Sequence, residues 1–165
     1  MNNFNHFYDT KEVRQVISII VQNEDSVLSR ISGLFSARGY NIDSLTVAPI
    51  PSSEYSRITI VTIGTKRVID QIVKQLNKLI GVLKVNEHIN VIEKDTVLIK
   101  IPIDESLSDI DVLARAYNGG ILNVTENAIV ISATDEPKRI VNFIKIIQRY
   151  NPIEIVRSGI VAMER

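Results

Sequence analysis

The chain has 165 residues, of which 45% are hydrophobic and 23% are charged, the composition of a folded globular protein of one domain or two small ones. Its 19 lysines and arginines balance 19 aspartates and glutamates, so no net charge draws it toward nucleic acid or anionic lipid. The absence of cysteine excludes disulfides, thiol catalysis and cysteine-ligated zinc. The two histidines, His6 and His88, are far apart in the sequence, and no apolar run approaches the ~18 residues that span a bilayer.

Residues 1–12 predict a short N-terminal tail. They lack the apolar stretch of a signal peptide and the arginine- and serine-rich, acid-poor composition of a transit peptide. The protein is therefore expected to work in the compartment where it is made. The abundance of isoleucine and asparagine is typical of an AT-rich genome, which favours a plastid (chloroplast) stroma or a bacterial cytoplasm.

The first half of the chain alternates strand and helix patterns. Residues 13–22 carry apolar side chains on both faces of a loose alternation, which predicts a strand. Asn23 is then expected to cap an amphipathic helix that Gly39 ends in a left-handed conformation. The apolar stripe of this helix consists of Val27, Leu28, Ile31, Leu34 and Phe35. The patterns that follow predict two strands, a helix and a strand at 41–49, 56–64, 66–80 and 82–92.

The second half repeats the same order. Residues 97–103 predict a strand, and residues 106–117 predict a helix that Gly119 and Gly120 end. Further strands are expected at 121–125 and 128–134, then a helix at 136–149 and a strand at 154–163. The sequence therefore predicts two βαββαβ units that meet near residues 93–96.

The expected organisation is the tail at 1–12, a first unit at 13–92 and a C-terminal unit at 97–165. Each unit is predicted to be an α+β, ferredoxin-like domain, in which both helices cover one face of a four-stranded antiparallel sheet. Such a unit leaves one sheet face and two edges uncovered. Because the first strand is apolar on both faces, we expect a homodimer.

The segment from Asn23 to Ser26 is the first part of a candidate site. Asparagine is a preferred N-cap, and Glu24 and Asp25 suit the positive end of the helix dipole, so capping alone accounts for these residues. A helix start also offers backbone N–H groups to a carboxylate, and a cap occupies only one or two of the four. The two interpretations are compatible.

Asn41 and Ala48 extend the candidate site. Asn41 is expected to begin the second strand, where its amide either tolerates the turn after Gly39 or holds the ammonium or carboxylate of a zwitterion. Ala48 is small where a strand could carry a larger side chain, which reflects packing or leaves room for a ligand. No acid/base pair, nucleophile, metal cluster or phosphate-binding motif accompanies them in the sequence. The sequence therefore predicts a site that binds a small molecule without transforming it.

The chain resembles the small, regulatory subunits of acetohydroxyacid (acetolactate) synthase. The resemblance is carried by L-S-R-I-S-G-L-F-S-A-R-G-Y-N-I-D-S-L-T-V-A-P at 28–49, S-R-I-T-I at 56–60, Q-I-V-K-Q-L-N-K-L at 71–79, V-L-K-V at 82–85 and E-I-V-R-S-G at 154–159. It covers about residues 13 to 163, and it identifies the first unit as similar to an ACT domain.

The resemblance implies a protein without catalytic residues of its own. Members of the family bind a thiamine-diphosphate-dependent catalytic subunit, raise its activity and make it sensitive to a branched-chain amino acid, usually valine, in valine and isoleucine biosynthesis. Thiamine diphosphate, Mg²⁺ and FAD belong to that catalytic subunit. No cofactor and no metal is expected in this chain.

The resemblance also implies the effector-binding residues. In the family, ACT domains pair side by side and the effector lies at the interface of the pair. One copy supplies the helix start, and the other supplies the start of the second strand. The matching residues here are Asn23, Ser26, Val27 and Leu28 in one copy, Asn41 and Ile42 in the other, and Ala48 as a further position. The family commonly has glycine in place of Ser26, so the serine is expected either to crowd the effector or to donate to its carboxylate.

Two other functions fit parts of the sequence. A stand-alone ACT protein would bind an amino acid and regulate a different partner. An acylphosphatase-like enzyme would share the sheet order, but it needs an arginine-bearing anion loop after the first strand, and Q-N-E-D-S at 22–26 contains no arginine.

Overall fold

The structure, a computed structural model, describes residues 11–103 and 106–165. These residues form two compact units. The first contains the described residues up to Val91 together with Ala162–Arg165, and the second contains Ile92–Val161. Residues 1–10 of the predicted tail lie outside the described residues.

The first unit has the predicted βαββαβ order. Its strands pair antiparallel in the spatial order β2-β3-β1-β4, so that β1 and β3 are central and β2 and β4 are edges. The elements are β1 (Glu12–Gln22), α1 (Asp25–Ala37), β2 (Ser44–Pro49), β3 (Tyr55–Thr65), α2 (Lys66–Leu76) and β4 (Val82–His88).

The second unit repeats this arrangement in the strand order β6-β7-β5-β8. Its elements are β5 (Val91–Pro102), α3 (Leu107–Ala116), β6 (Gly119–Val124), β7 (Ala128–Asp135), α4 (Pro137–Ile147), a 3-10 turn (Gln148–Tyr150) and β8 (Glu154–Arg157), and β9 (Val161–Glu164) follows. The predicted α+β, ferredoxin-like class is confirmed for both units. No helix in the described part of the chain is long and apolar enough to span a bilayer.

Each unit has its own core between its helices and one face of its sheet. Every second residue of the central strands points to the helices, which is why β1 and β5 supply fully buried isoleucines and valines at alternate positions. The first core is built on Ile17, Ile19, Ile31, Phe35, Ile58, Ile60, Ile72 and Leu76. The second is built on Val97, Ile99, Ile101, Ile110, Ile129, Ile131, Ile140 and Phe143.

Local hydrogen bonds set one boundary each of two first-unit elements, β2 and α2, away from the predicted residues. Strand β2 begins at Ser44 and not at Asn41, because the Asn41 carbonyl accepts a 2.6 Å hydrogen bond from the Thr62 hydroxyl instead of joining the ladder. Helix α2 ends at Leu76 and not at residue 80. There the Asn77 side chain donates to the Val73 carbonyl at 2.9 Å, and i→i+3 bonds follow.

The second unit also departs from the prediction at three places. Strand β5 begins at Val91 and not at residue 97, so it runs through the predicted junction at 93–96. The strand predicted at 154–163 is divided, because the backbone N–H of Ser158 donates to the Thr96 carbonyl and its hydroxyl accepts from the Thr96 N–H. Helix α3 is not ended by its glycines. Asn118 takes the left-handed conformation with φ 54°, and Gly119 already lies in β6.

The helix-free side of β1 is buried where we expected an exposed apolar face. Val16 and Ser18 are only 3% and 1% exposed. The His88 Nε2 atom lies 2.7 Å from the Ser18 hydroxyl, and its Nδ1 atom lies 2.5 Å from a carboxylate oxygen of Glu164. The Arg165 N–H also donates to the Asn90 carbonyl. The last residues of the first unit are therefore tied to its sheet by this histidine.

Candidate functional site

The start of α1 lacks a side-chain cap. The N-cap residue is Glu24, with extended backbone angles and no side-chain hydrogen bond to the helix. The prediction that Asn23 caps this helix is therefore wrong. Its Oδ1 atom accepts a 3.1 Å hydrogen bond from the hydroxyl of Ser56, a residue of β3 that is 3% exposed, and this bond ties the amide oxygen to β3.

Two backbone N–H groups at this helix start have no acceptor among the residues that the structure describes. The N–H groups of Asn23, Glu24 and Val27 donate to the carbonyls of Glu54, Gln22 and Glu24 respectively. Within the described chain, no acceptor pairs with the N–H of Asp25 or Ser26, and none pairs with the Asn23 Nδ2 group. Free N–H groups at the positive end of a helix dipole form a site for an anionic group.

The neighbouring helix α2 differs from α1 in its cap. Helix α2 is capped by Thr65, whose hydroxyl accepts from the Val68 N–H at 3.3 Å. Among the described residues, the first two N–H groups of both helices have no acceptor, and α1 differs in having no side-chain cap. The acidic side chains of Glu24 and Asp25 are exposed beside these groups, where they can attract an ammonium.

Close packing fixes the position of the helix start. Val27 is 1% exposed, and a Cβ on Gly81 would lie 2.6 Å from its Cγ2 atom, so glycine is required at 81 for this approach. Sequence reasoning missed Gly81, although its place between the apolar residues Ile80 and Val82 is a signal of close backbone approach. Val27 therefore packs in the core and its N–H already donates to the Glu24 carbonyl, whereas Ser26 and Leu28 are exposed.

The structure does not bring Asn41 and Ile42 to this helix start within one chain. They follow the other end of α1, a helix of 13 residues that spans about 20 Å. Asn41 is exposed, and Ile42 packs partly against the first core. A single copy therefore separates the two halves of the predicted site by the length of the helix.

Ala48 lies on the edge strand β2, opposite Arg57. Arg57 is in turn opposite Ile20, which points away from the helices, so the Ala48 side chain is on the helix-free face. It is exposed there, at the same end of the sheet as Asn23. Ala48 is thus near the helix start along the strands but on the other side of the sheet.

A carboxyl group with a lowered pKa lies elsewhere, in the second unit. Burial of Asp135 opposes its ionisation. The hydrogen bond from Arg139, that from the Glu136 N–H and the charges of Arg139 and Lys94 outweigh burial and lower the pKa of Asp135 below its ordinary value. Asn118 donates a further 3.0 Å hydrogen bond to it. Every charge in this cluster is partnered, so it is a structural ion-pair network that joins α3 to α4.

The described residues contain no group of three or more side chains that could hold a metal ion. They offer backbone N–H groups, amides and a hydroxyl at the start of α1, which can bind and orient a small zwitterion. This arrangement is suited to recognition.

Comparison with known proteins gives consistent matches over both units. The profile described as "AHAS small subunit-like ACT domain" matches residues 17–84, and that described as "Small subunit of acetolactate synthase" matches residues 94–165. The acetolactate synthase small subunit of Buchnera aphidicola subsp. Schizaphis graminum is 39% identical over 160 residues, which cover 93% of this chain and 99% of that protein.

Two further relatives match nearly the full length. The acetolactate synthase isozyme 3 small subunit of Escherichia coli strain K12 is 36% identical over 160 residues, covering 93% of this chain and 96% of that protein. The crystal structure of the acetolactate synthase small subunit from Thermotoga maritima matches with a TM-score of 0.86 at 33% identity, covering 93% of this chain and 98% of that one.

Proposed function

This chain belongs to the acetolactate synthase small subunit family, and from that premise we propose that it activates the thiamine-diphosphate-dependent catalytic subunit and confers feedback inhibition by valine. It would act in branched-chain amino-acid biosynthesis by binding two partners, the effector and the catalytic subunit. Thiamine diphosphate, Mg²⁺ and FAD would remain with the catalytic subunit.

The observation that supports an amino-acid site is the uncapped start of α1. The carboxylate of valine would accept from the free N–H groups of Asp25 and Ser26, with the Asn23 amide or the Ser26 hydroxyl as a further donor. The exposed Leu28 side chain would contact the isopropyl group. The acidic side chains beside the helix start would favour the ammonium.

A second copy of the chain would complete the site. Asn41 lies about 20 Å from the helix start of its own chain, one helix length away. An antiparallel pairing of two α1 helices brings the end of one beside the start of the other, so Asn41 of one copy would meet Ser26 of its partner. The proposal therefore includes a homodimer with two equivalent effector sites.

A few modest interactions are enough to bind valine with a dissociation constant of about 100 μM. Charge-assisted hydrogen bonds contribute about 1.5–3 kcal/mol each, and burial of an isopropyl group contributes a similar amount. Binding near 100 μM requires only about 5.5 kcal/mol, which three such bonds and the side chain supply after the costs of association. Feedback then needs a coupling of about 1–3 kcal/mol between the effector site and the catalytic subunit.

The test is to mix this chain with the purified catalytic subunit encoded by the same genome. We expect acetolactate formation to rise, and titration with valine then to depress it. A chain that leaves the catalytic subunit unaffected both with and without valine would contradict the proposal. A chain that binds valine in calorimetry but does not bind the catalytic subunit would instead be a stand-alone amino-acid-binding regulator.

A further inference from the structure

The sheet of the second unit has an exposed apolar row on its helix-free face. On the helix side, Val97 and Ile99 of β5 are fully buried, whereas Leu98 between them is 40% exposed on the helix-free side. Val156 of β8, the direct partner of Leu98 in the strand register, is 51% exposed. The first unit differs, because Val16 on the helix-free side of its central strand is only 3% exposed. The second unit therefore presents apolar side chains where the first unit buries them.

Two opposite charges lie beside this apolar row. Lys100 and Glu154 are direct partners in the β5–β8 register, two residues along the strands from Leu98 and Val156. Because side chains alternate along a strand, all four project from the same face. Lys100 and Glu154 are exposed, and neither side chain has an ion pair or hydrogen bond to any residue that the structure describes. These four residues, one apolar row and one charged row, are named the β5–β8 patch.

The β5–β8 patch is complementary to itself. Consider two copies that face each other across a two-fold axis parallel to the strands and midway between β5 and β8. Leu98 of one copy then faces Val156 of the other, and Lys100 faces Glu154. Each contact occurs twice, as an isologous interface requires. Sheets that pack face to face lie about 10 Å apart with their strands within about 30° of each other, so side chains close to the axis stay opposite their partners.

The next strand, β7, adds no charge to this face. Its helix-free side carries Val130, Ser132 and Thr134. The Thr134 hydroxyl already has a partner, because it lies 2.9 Å from the Thr96 hydroxyl of β5. A hydrogen-bonded hydroxyl costs less to bury than a free one. The surroundings of the β5–β8 patch are therefore compatible with its removal from water.

We propose that two copies of this chain pack their second units back to back through the β5–β8 patch. The occupant of this face is a second copy because the patch carries its own complement: each apolar side chain meets an apolar one, and each charge meets its opposite. The inference goes beyond the proposed function, whose effector site lies in the first unit. The chain then has one self-pairing surface in each unit.

Charge reversal tests this pairing in the full chain, with self-association measured by sedimentation over a concentration series. Lys100→Glu sets acids opposite acids, and Glu154→Lys sets bases opposite bases. We expect each variant to associate with itself about tenfold more weakly than the unaltered chain, because like charges face each other at an interface. A mixture of the two variants sets acids opposite bases again and should regain the association of the unaltered chain.

Lys138→Glu is the matched control for these variants. It makes the same change of charge at an exposed residue of α4, on the helix side of the sheet. We expect it to change self-association by less than about twofold, the effect of a solvated surface charge.

Cross-linking identifies the residues that meet. A carbodiimide activates the Glu154 carboxylate, and the Lys100 amine then displaces the urea leaving group to form an amide bond. When a chain with Lys100→Ala is mixed with a chain with Glu154→Ala, this bond can form only between two chains. We expect mass spectrometry to find the Lys100–Glu154 cross-link in the mixture and in neither variant alone.

Three results would overturn the inference. The first is a chain that stays monomeric at every concentration. The second is a mixture of the charge-reversal variants that associates no better than each variant alone, and the third is a mixture without the cross-link. Valine and the catalytic subunit are absent from these experiments. A dimer that charge reversal leaves unchanged would be held by the first unit, which overturns this inference and leaves the proposed function intact.

Discussion

Two glycines of this chain have opposite structural roles. A Cβ on Gly119 would lie 1.9 Å from the backbone oxygen of Ser132 across the β6–β7 pair, so glycine is required there by close contact. A Cβ on Gly33, inside α1, would meet nothing within 4 Å. The same substitution should therefore change stability in opposite directions at the two positions.

We expect Gly119→Ala to lower the free energy of unfolding by about 3 kcal/mol, because the β6–β7 backbones must separate to admit the methyl group. Gly33→Ala should raise it by about 0.5–1 kcal/mol, because alanine is favoured over glycine in a helix interior. Urea denaturation of the two variants measures both changes. Equal effects of the two substitutions would show that the β6–β7 contact is not close.

The ion pair of Asp135 makes stability depend on acid pH. Its pKa in the folded protein is lowered from the ordinary 3.8, so its contribution is present above that pH and is lost as pH falls through the lower folded value. Asp135→Asn should cost about 1–3 kcal/mol at neutral pH by weakening hydrogen bonds from charged partners. The difference between variant and unaltered protein should shrink as pH falls below 3.8.

Urea denaturation at a series of pH values measures this convergence. Asp111→Asn is the control, since its partner Arg115 is largely exposed and the i,i+4 pair is worth only about 0.3–0.5 kcal/mol. A stability difference for Asp135→Asn that stays constant from neutral to acid pH would show that the carboxylate charge is not what stabilises the α3–α4 junction.

Among the elements, α1 shows a conflict between stability and binding. Its N-cap is Glu24, which is not a favoured cap residue, and its first N–H groups are open. Glu24→Ser would supply a hydroxyl that accepts from the Ser26 N–H. We expect this change to stabilise the protein by about 0.5–1 kcal/mol and to weaken valine binding, because the cap and the carboxylate compete for the same donors.

Thermal unfolding and valine calorimetry on this variant test both halves of the expectation. Thr65→Ala, which removes the cap of α2, is the matched control and should lower stability by about 1 kcal/mol without changing valine affinity. A Glu24→Ser variant that is more stable and binds valine as tightly as before would remove the helix start from the effector site.

Hydrophobic periodicity predicted the existence and type of the elements well because both cores are aliphatic and regular. The apolar stripe predicted helix α1. Gly39 predicted where the helix stops, and it has the expected left-handed conformation with φ 65°. The predicted cap at Asn23 was wrong. The Asn23 side chain instead accepts a hydrogen bond from the buried hydroxyl of Ser56, 33 residues away. A local sequence pattern carries no information about such a distant partner.

At the scale of the whole molecule, the proposed effector site requires two chains. We expect Asn41→Ala and Ser26→Trp each to weaken valine binding, the first by removing an amide and the second by filling the space before the helix. When the two variants are mixed and allowed to exchange, about half of the dimers are hybrids with one intact site of two. About one site in four should then bind valine normally.

Calorimetry of the mixture against each variant alone measures this recovery, and sedimentation measures the dimer. A mixture that binds no better than its separate components would place both residues in the same copy's site or outside any site. The residues of this proposed site came from the resemblance, and their separation by one helix length follows from the predicted helix and its rise per residue. The hydrogen bond that ties Asn23 to Ser56 did not follow from the sequence.

The bond between His88 and Glu164 has a consequence for how the protein is handled in the laboratory. A fragment that stops at Val91 contains every element of the ACT fold but lacks the carboxylate that orients this imidazole and the N–H that Asn90 accepts. Such a fragment would leave His88, which lies against Ser18 on the helix-free face of the sheet, without its carboxylate partner. An affinity tag is better fused at the amino end, and limited proteolysis that trims the final residues should loosen a region more than seventy positions upstream.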